Sequence, residues 1–224
     1  MNRTLSARKW ERPVQVPSGN VMVEGILAVP PNAKGIVLFA HGSGSGRFSP
    51  RNNFVARVLQ DAGFGTLLMD LLTEEEAEDR RKVFDIDLLA ERLLDATKWL
   101  RQESETKGLA IGYFGASTGA AAALQAAARE KSIAAVVSRG GRPDLARDYL
   151  SEVEAPTLLI VGGKDYPVIT LNQEAYDLLR CEKELTIVPG ATHLFEEPGA
   201  LEKVAQLARN WFERYLVQAR RLAA

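Results

Sequence analysis

Ser117 lies within Gly115-Ala116-Ser117-Thr118-Gly119. Glycine two residues to either side of a serine suits a hydroxyl raised on a sharp strand-to-helix turn, where larger neighbours would collide with the strand and the helix. Ala116, Ala120 and Ala121 keep the surroundings small as well. The start of the following helix would bring free N–H groups and a positive dipole end to the serine oxygen. Such a serine is a candidate nucleophile for acyl transfer. The five residues alone also suit a serine that merely caps a helix. The apolar run before them and the alanine-rich run after them favour the nucleophile.

A serine hydroxyl needs a general base, usually histidine. The chain has two histidines, His41 and His193. His193 follows the last predicted strand in Pro189-Gly190-Ala191-Thr192-His193, and a loop there can carry an imidazole over the sheet edge towards Ser117. His41 precedes the loop Gly42-Ser43-Gly44-Ser45-Gly46 and is expected to hold that loop by hydrogen bonding. Asp165, in Val161-Gly162-Gly163-Lys164-Asp165, is the candidate acid that orients His193. Glu196 and Glu197 compete for that role but lie very close to His193 in sequence.

A tetrahedral intermediate needs two N–H donors aimed at its oxyanion. The backbone N–H of Thr118 is one candidate. The backbone N–H of Ser43 is the other, with Gly42 second. The Gly-rich loop lacks the Gly-Lys-Ser/Thr ending of a phosphate-cradling loop. Arg139 and Arg142 follow another predicted strand at the same sheet edge, and Arg47 and Arg51 lie in or after the Gly-rich loop. They could bind a substrate carboxylate or phosphate; pairing with Asp144, Asp148 or the Asp85/Asp87 segment is the alternative. Phe48, Tyr166, Leu194 and Phe195 could wall an acyl group or simply pack the loops.

Placing these groups together requires a sheet whose strands end side by side. Short β-branched runs alternate with helical patterns, which predicts an α/β chain with a mainly parallel sheet covered on both faces. Strands are expected at 14–16, 21–29, 35–40, 65–71, 109–114, 133–137, 156–161 and 185–188, about eight in all. The first two should form an antiparallel hairpin through Pro17-Ser18-Gly19-Asn20. Helices are expected at 51–62, 85–102, after Ser117, 144–150, 171–179 and 201–217. The stretch 137–156 leaves room for one small helix and no lid domain. The acidic run Glu74, Glu75, Glu76, Glu78 and Asp79 reads as a solvated helix surface.

At 224 residues the chain suits one domain, expected at 13–218 between a polar segment 1–12 and a tail 219–224. With 28 basic and 29 acidic residues, nothing favours nucleic acid or an acidic membrane as partner. No apolar run approaches the ~20 residues that span a bilayer, and the start lacks the apolar core of a signal peptide. The lone Cys181 allows no intrachain disulfide and fits a cytoplasmic location. No metal-ligand cluster is visible, so neither metal nor cofactor is expected.

Taken together, the elbow, the His-Gly loop, Gly-Gly-Lys-Asp and Gly-Ala-Thr-His resemble the α/β-hydrolase superfamily, most closely its compact dienelactone hydrolase-like branch. The resemblance spans about residues 14–216, and Ser117, Asp165, His193 stand in the order expected for that fold. It implies a single α/β-hydrolase domain with no large lid. It also implies a serine hydrolase of a small-molecule carboxylic ester, with catalytic Ser117, Asp165 and His193. Thioesterase, peptidase or acyltransferase activity on the same residues, or a non-catalytic binding protein of this fold, are the alternatives. Dienelactone hydrolase itself carries a cysteine where this chain has Ser117, which favours carboxylic esters over the lactone.

Overall fold

The computed structural model describes residues 10–222. Strands β1 (Glu11–Ser18) and β2 (Val21–Ala28) form the expected antiparallel hairpin. Ser18 pairs with Val21, and Gly19 takes a positive φ of 56° in the tight turn between them. The other strands are β3 (Ile36–Ala40), β4 (Gly65–Met69), β5 (Ile111–Ala116), β6 (Ala135–Arg139), β7 (Thr157–Gly162) and β8 (Lys183–Val188). The sheet has eight strands in the order β1-β2-β4-β3-β5-β6-β7-β8. All pairs from β4 to β8 are parallel, and β2 meets β4 antiparallel.

Strands β3 to β7 are buried along their whole length, as a sheet covered on both faces requires. Helices α1 (Pro50–Asp61), α2 (Glu74–Glu78), α3 (Arg80–Val83), α4 (Ile86–Gln102), α5 (Thr118–Arg129), α6 (Tyr166–Leu178) and α7 (Ala200–Leu222) cover it, with a 3-10 helix at Pro143–Glu152. Leu93, Leu100 and the alanines of α5 fill one core beside Leu38 and Tyr113. Phe212, Leu216 and Ala208 of α7 fill the other, with Leu59 of α1 against Phe39 and Phe114. Every residue of α5 from Thr118 to Ala128 is buried. A helix enclosed on all sides favours alanine, which is small and has the best helix propensity.

Strands β5 and β6 each end two residues beyond the predicted ends, 114 and 137. The expectation stopped at the last strongly apolar residue. The ladder instead continues until Ala116 faces Arg139, carrying the polar pair Ser138–Arg139 into the interior. The acidic run is also not merely a solvated surface. Thr73 and Glu76 form a reciprocal cap on α2, and Glu76 is buried in an ion pair with Arg92 at 2.8 Å. The helix expected over this run is two short ones, α2 and α3, divided at Asp79. At the chain ends, β1 begins inside the segment expected as polar leader, and α7 continues through 222 where a tail was expected. Residues 1–9 and 223–224 of those segments lie outside the described residues. Among the described residues, no helix is long and apolar enough to cross a membrane.

Candidate active site

Ser117 sits between β5 and α5 with φ 52° and ψ −123°, a conformation that costs a non-glycine residue about 1–3 kcal/mol. Its backbone is fixed on both sides. The Ser117 N–H donates to the Arg139 carbonyl at 3.2 Å, and the Ser117 carbonyl accepts from Ala120 and Arg142 at 3.1 Å. The flanking glycines are required by contact. A methyl group on Gly115 would lie 2.8 Å from the Ala120 nitrogen, and one on Gly119 would lie 2.6 Å from the Ala40 carbonyl carbon. The elbow is therefore wedged against the end of β3, which carries the Gly42–Gly46 loop. The alternative role of Ser117 as a helix cap is not realised, since its side chain makes no capping hydrogen bond.

Asp165 ends the β7 loop and stands at the start of α6, also without a capping bond. Its carboxylate is instead committed to His193, with Oδ2 2.6 Å from Nδ1. The two loops meet because Gly162 has no side chain. A methyl group there would lie 2.5 Å from the Ala191 carbonyl oxygen and 2.6 Å from that of Thr192. Asp165 is mostly buried and His193 half-buried. The competing acids are engaged elsewhere: Glu197 accepts the Thr192 N–H at 3.1 Å, and Glu196 pairs with Arg51 at 3.2 Å. His193, Leu194 and Ser117 line one cavity of about 230 Å³ together with Gly42, Ser43, Arg51 and Arg139. An Asp-oriented imidazole facing a hydroxyl across a small cavity is equipped for general-base activation of that hydroxyl.

Ser43 and Thr118 also meet, through a bond the sequence did not suggest: the Ser43 N–H donates to Thr118 Oγ1 at 3.0 Å. An oxyanion would receive the Ser43 N–H once the Thr118 hydroxyl turns aside. The Thr118 N–H, at the first position of α5, has no intrahelical acceptor.

His41 holds the loop. Its Nε2 accepts the Leu71 N–H at 2.9 Å, so Nδ1 carries the hydrogen and donates to the Gly42 carbonyl at 2.9 Å. Burial pushes the His41 pKa down, outweighing the opposing pull of Gly42 and Asp70. Below about pH 6.5, the ordinary histidine value, the unfolded chain binds a proton that folded His41 resists. The site's contribution to stability is therefore complete above that pH and declines as pH falls towards the depressed folded value. Urea midpoints measured above and below that pH should fall on acidification in the wild type, and fall less in His41→Gln. An equal fall in both would show that His41 does not carry the effect.

The arginines divide. Arg142 forms a two-pronged ion pair with Asp144 at 2.9 and 2.8 Å and does not line the Ser117 cavity. Of the two readings weighed for it, the pairing with Asp144 is the one found: two residues apart at the start of the 3-10 helix, the two side chains satisfy each other. Among the described residues Arg139 has no carboxylate partner. It is 7% exposed, its Nε has no hydrogen-bond partner there, and the hydrogen bond it makes is a 3.4 Å one to Asn52 Oδ1. Burial first, and then nearby Arg51, push its pKa down to about 10, so it stays charged at neutral pH. Arg47 is bound to Asp70 and Glu24. Of the four residues expected at an acyl wall, only Leu194 lines the cavity. Phe195 is buried in the core, and Phe48 and Tyr166 are largely exposed. Asn52 and Ser49, which also line the cavity, were missed; two polar residues opening a helix carry no signal that they face a site.

Cys181 lies at the opposite sheet edge, with Sγ 3.8 Å from Thr157 Oγ1 at the start of β7. Burial pushes its thiol pKa up, which disfavours the reactive thiolate.

The sequence profile of the dienelactone hydrolase family matches residues 23–217. The chain belongs to the dienelactone hydrolase family. It has the α/β-hydrolase fold, as the resemblance implied. The crystal structure of dienelactone hydrolase from Anabaena variabilis is 59% identical, with a TM-score of 0.89 over 92% of this chain and 98% of that one. Est1E from Butyrivibrio proteoclasticus shares the fold at 15% identity, with a TM-score of 0.78 over 90% of this chain and 98% of that one. A Mycobacterium tuberculosis protein named as a phosphoribosyl transferase is 61% identical over 204 residues, 91% of this chain. Those residues make up 46% of that protein, so this chain spans less than half the length of that relative.

Proposed function

We propose that this chain is a serine hydrolase that cleaves a small carboxylic ester through an acyl-enzyme on Ser117. The observation that carries the reading is the 2.6 Å pairing of Asp165 with His193 Nδ1, with His193 and the strained Ser117 lining one cavity. With Nδ1 held by the carboxylate, Nε2 is the atom left to take the Ser117 proton. Oγ then attacks the ester carbonyl, and the N–H groups of Thr118 and Ser43 stabilise the oxyanion. As the carbon–oxygen bond breaks, His193 returns the proton to the leaving alkoxide. Water, deprotonated by His193, releases the acid and restores Ser117.

The name of the mycobacterial relative describes a chain more than twice as long as the segment the two proteins share. Within that segment the elbow and the Asp–His pair favour acyl transfer. Thioester, amide or acyl-acceptor chemistry would use the same residues. An ester and thioester panel against wild type and Ser117→Ala tests the reading, and turnover that survives the substitution rejects it. The lone, half-buried Cys181 suits a reducing compartment such as the cytoplasm.

Asp165 acts through His193, and its replacement separates positioning from folding. Asp165→Asn preserves size but leaves the imidazole without its anionic partner. The expected result is a fall in kcat of about a hundred- to ten-thousand-fold, with KM and the urea midpoint little changed. A KM effect with kcat intact would assign Asp165 to substrate binding instead.

A further inference from the structure

A buried guanidinium without a counter-charge is costly, because desolvation is not repaid by a partner. Arg139 is in that position, facing the same cavity as Ser117 and His193. Arg51 lines the same wall, and its Nε is also buried without a partner. Its one carboxylate contact is the 3.2 Å bond to Glu196, a largely exposed side chain. Among the described residues the cavity wall thus presents two cations and no carboxylate.

The other side of the oxyanion loop differs. A second cavity of about 260 Å³ shares Gly42, Ser43 and Ser45 with the first; Leu72, Val83 and Leu89 line it together with the charged Arg47, Asp70 and Glu74. Both volumes fall below the roughly 300 Å³ at which pockets begin to hold a whole drug-sized ligand, so each suits one part of a substrate. His193 must protonate the leaving oxygen, which places the leaving group in the cavity that holds His193 and the two arginines.

On the reading that Ser117 is an ester nucleophile, we propose that the substrate is an ester of an anionic alcohol, its carboxylate or phosphate held by Arg139 and Arg51, with a short apolar acyl group beside Leu72, Val83 and Leu89. The products are the anionic alcohol, protonated on oxygen by His193, and a short carboxylic acid released by water. Arg139 keeps its charge at neutral pH, and the anion supplies acceptors for guanidinium groups whose buried Nε atoms lack a partner.

The test compares meta-acetoxybenzoate, meta-acetoxyphenyl phosphate and neutral meta-acetoxybenzamide, which share an acyl group and differ in the charge of the alcohol. Wild type should favour at least one anionic ester in kcat/KM by about 10- to 100-fold, the scale of charge-assisted hydrogen bonds. The preferred ester identifies the anion as carboxylate or phosphate. The preference should collapse towards unity in Arg139→Gln, persist in part in Arg139→Lys, and fall severalfold in Arg51→Gln. Arg51 is part-exposed, so its variant carries the test if Arg139→Gln does not fold. Calorimetry with benzoate and inorganic phosphate reads the same site without turnover: at least one should bind wild type and Ser117→Ala alike. A wild-type preference near unity with neither anion binding, or a preference that survives both arginine variants, overturns the proposal. Ser117-dependent hydrolysis of the neutral ester without anion preference would reject the anion site alone. Anion binding that needs Arg139, in a protein that turns over none of the esters through Ser117, would keep the anion site and reject the ester reaction.

Discussion

Ser117→Ala should lower ester kcat by about 10⁵- to 10⁶-fold, the loss typical when the nucleophile of a hydrolytic triad is removed. The size follows from how completely the site depends on this oxygen. His193 is held by Asp165 at 2.6 Å, and Ser117 is the elbow residue that shares a cavity with the imidazole while held at a strained, positive φ. Without Oγ there is no covalent intermediate, and what remains is the polarisation provided by the N–H groups of Thr118 and Ser43. The variant should fold at least as well as wild type, because Ser117 Oγ makes no capping bond and the backbone bonds to Arg139, Ala120 and Arg142 do not involve the side chain. A fluorophosphonate probe should label wild type at Ser117 and leave the variant unlabelled. Labelling elsewhere, with unchanged turnover, would reject the assignment.

The second large effect concerns folding. Gly119 lies in the first turn of α5, and helix propensity alone says that Gly→Ala there should stabilise by about 1 kcal/mol. The tertiary structure reverses the sign. A methyl group would sit 2.6 Å from the Ala40 carbonyl carbon and closer still to the carbonyl oxygens of Ala40 and His41. Those atoms are backbone at the end of β3, and that strand is paired on both sides, so neither partner can give way cheaply. The expected cost of Gly119→Ala exceeds the ~1–3 kcal/mol common for overpacking and leaves little folded protein at 37 °C. Gly44→Ala is the control. Its methyl meets nothing within 4 Å, but its φ of 69° is strained, so about 1–2 kcal/mol is expected. Urea denaturation should rank Gly119→Ala well below Gly44→Ala. The reverse order would show that the elbow can relax away from β3.

Much of this architecture was legible in the sequence because it rests on local or periodic signals. The alternation of buried strands and amphipathic helices follows from side-chain periodicity, and eight strands with an antiparallel hairpin at the front are found. The glycines around Ser117 mark a turn that only small residues permit, and the His41 loop-holding role follows from its place before that glycine-rich loop. With only two histidines, little choice of base remained. Boundaries were less legible where chemistry and pairing disagree. β6 was expected to end at 137, before Ser138 and Arg139, because polar side chains normally leave a sheet; the ladder holds both inside.

By itself, then, the sequence determined that a serine, an aspartate and a histidine stand at strand ends in hydrolase order, because those positions follow from backbone patterns a few residues long. Only the tertiary structure decided what their surroundings do. Of Arg142 and Arg139, three residues apart, the first is neutralised by Asp144 and the second is buried beside Ser117 with no counter-ion among the described residues. The Ser43 N–H, an oxyanion donor by position, meets the hydroxyl of Thr118. Glu76, which reads as solvated, is buried against Arg92. Charge pairing and desolvation depend on which distant segments pack together, here β6 against the start of α1 and α2 against α4, and no local pattern encodes that.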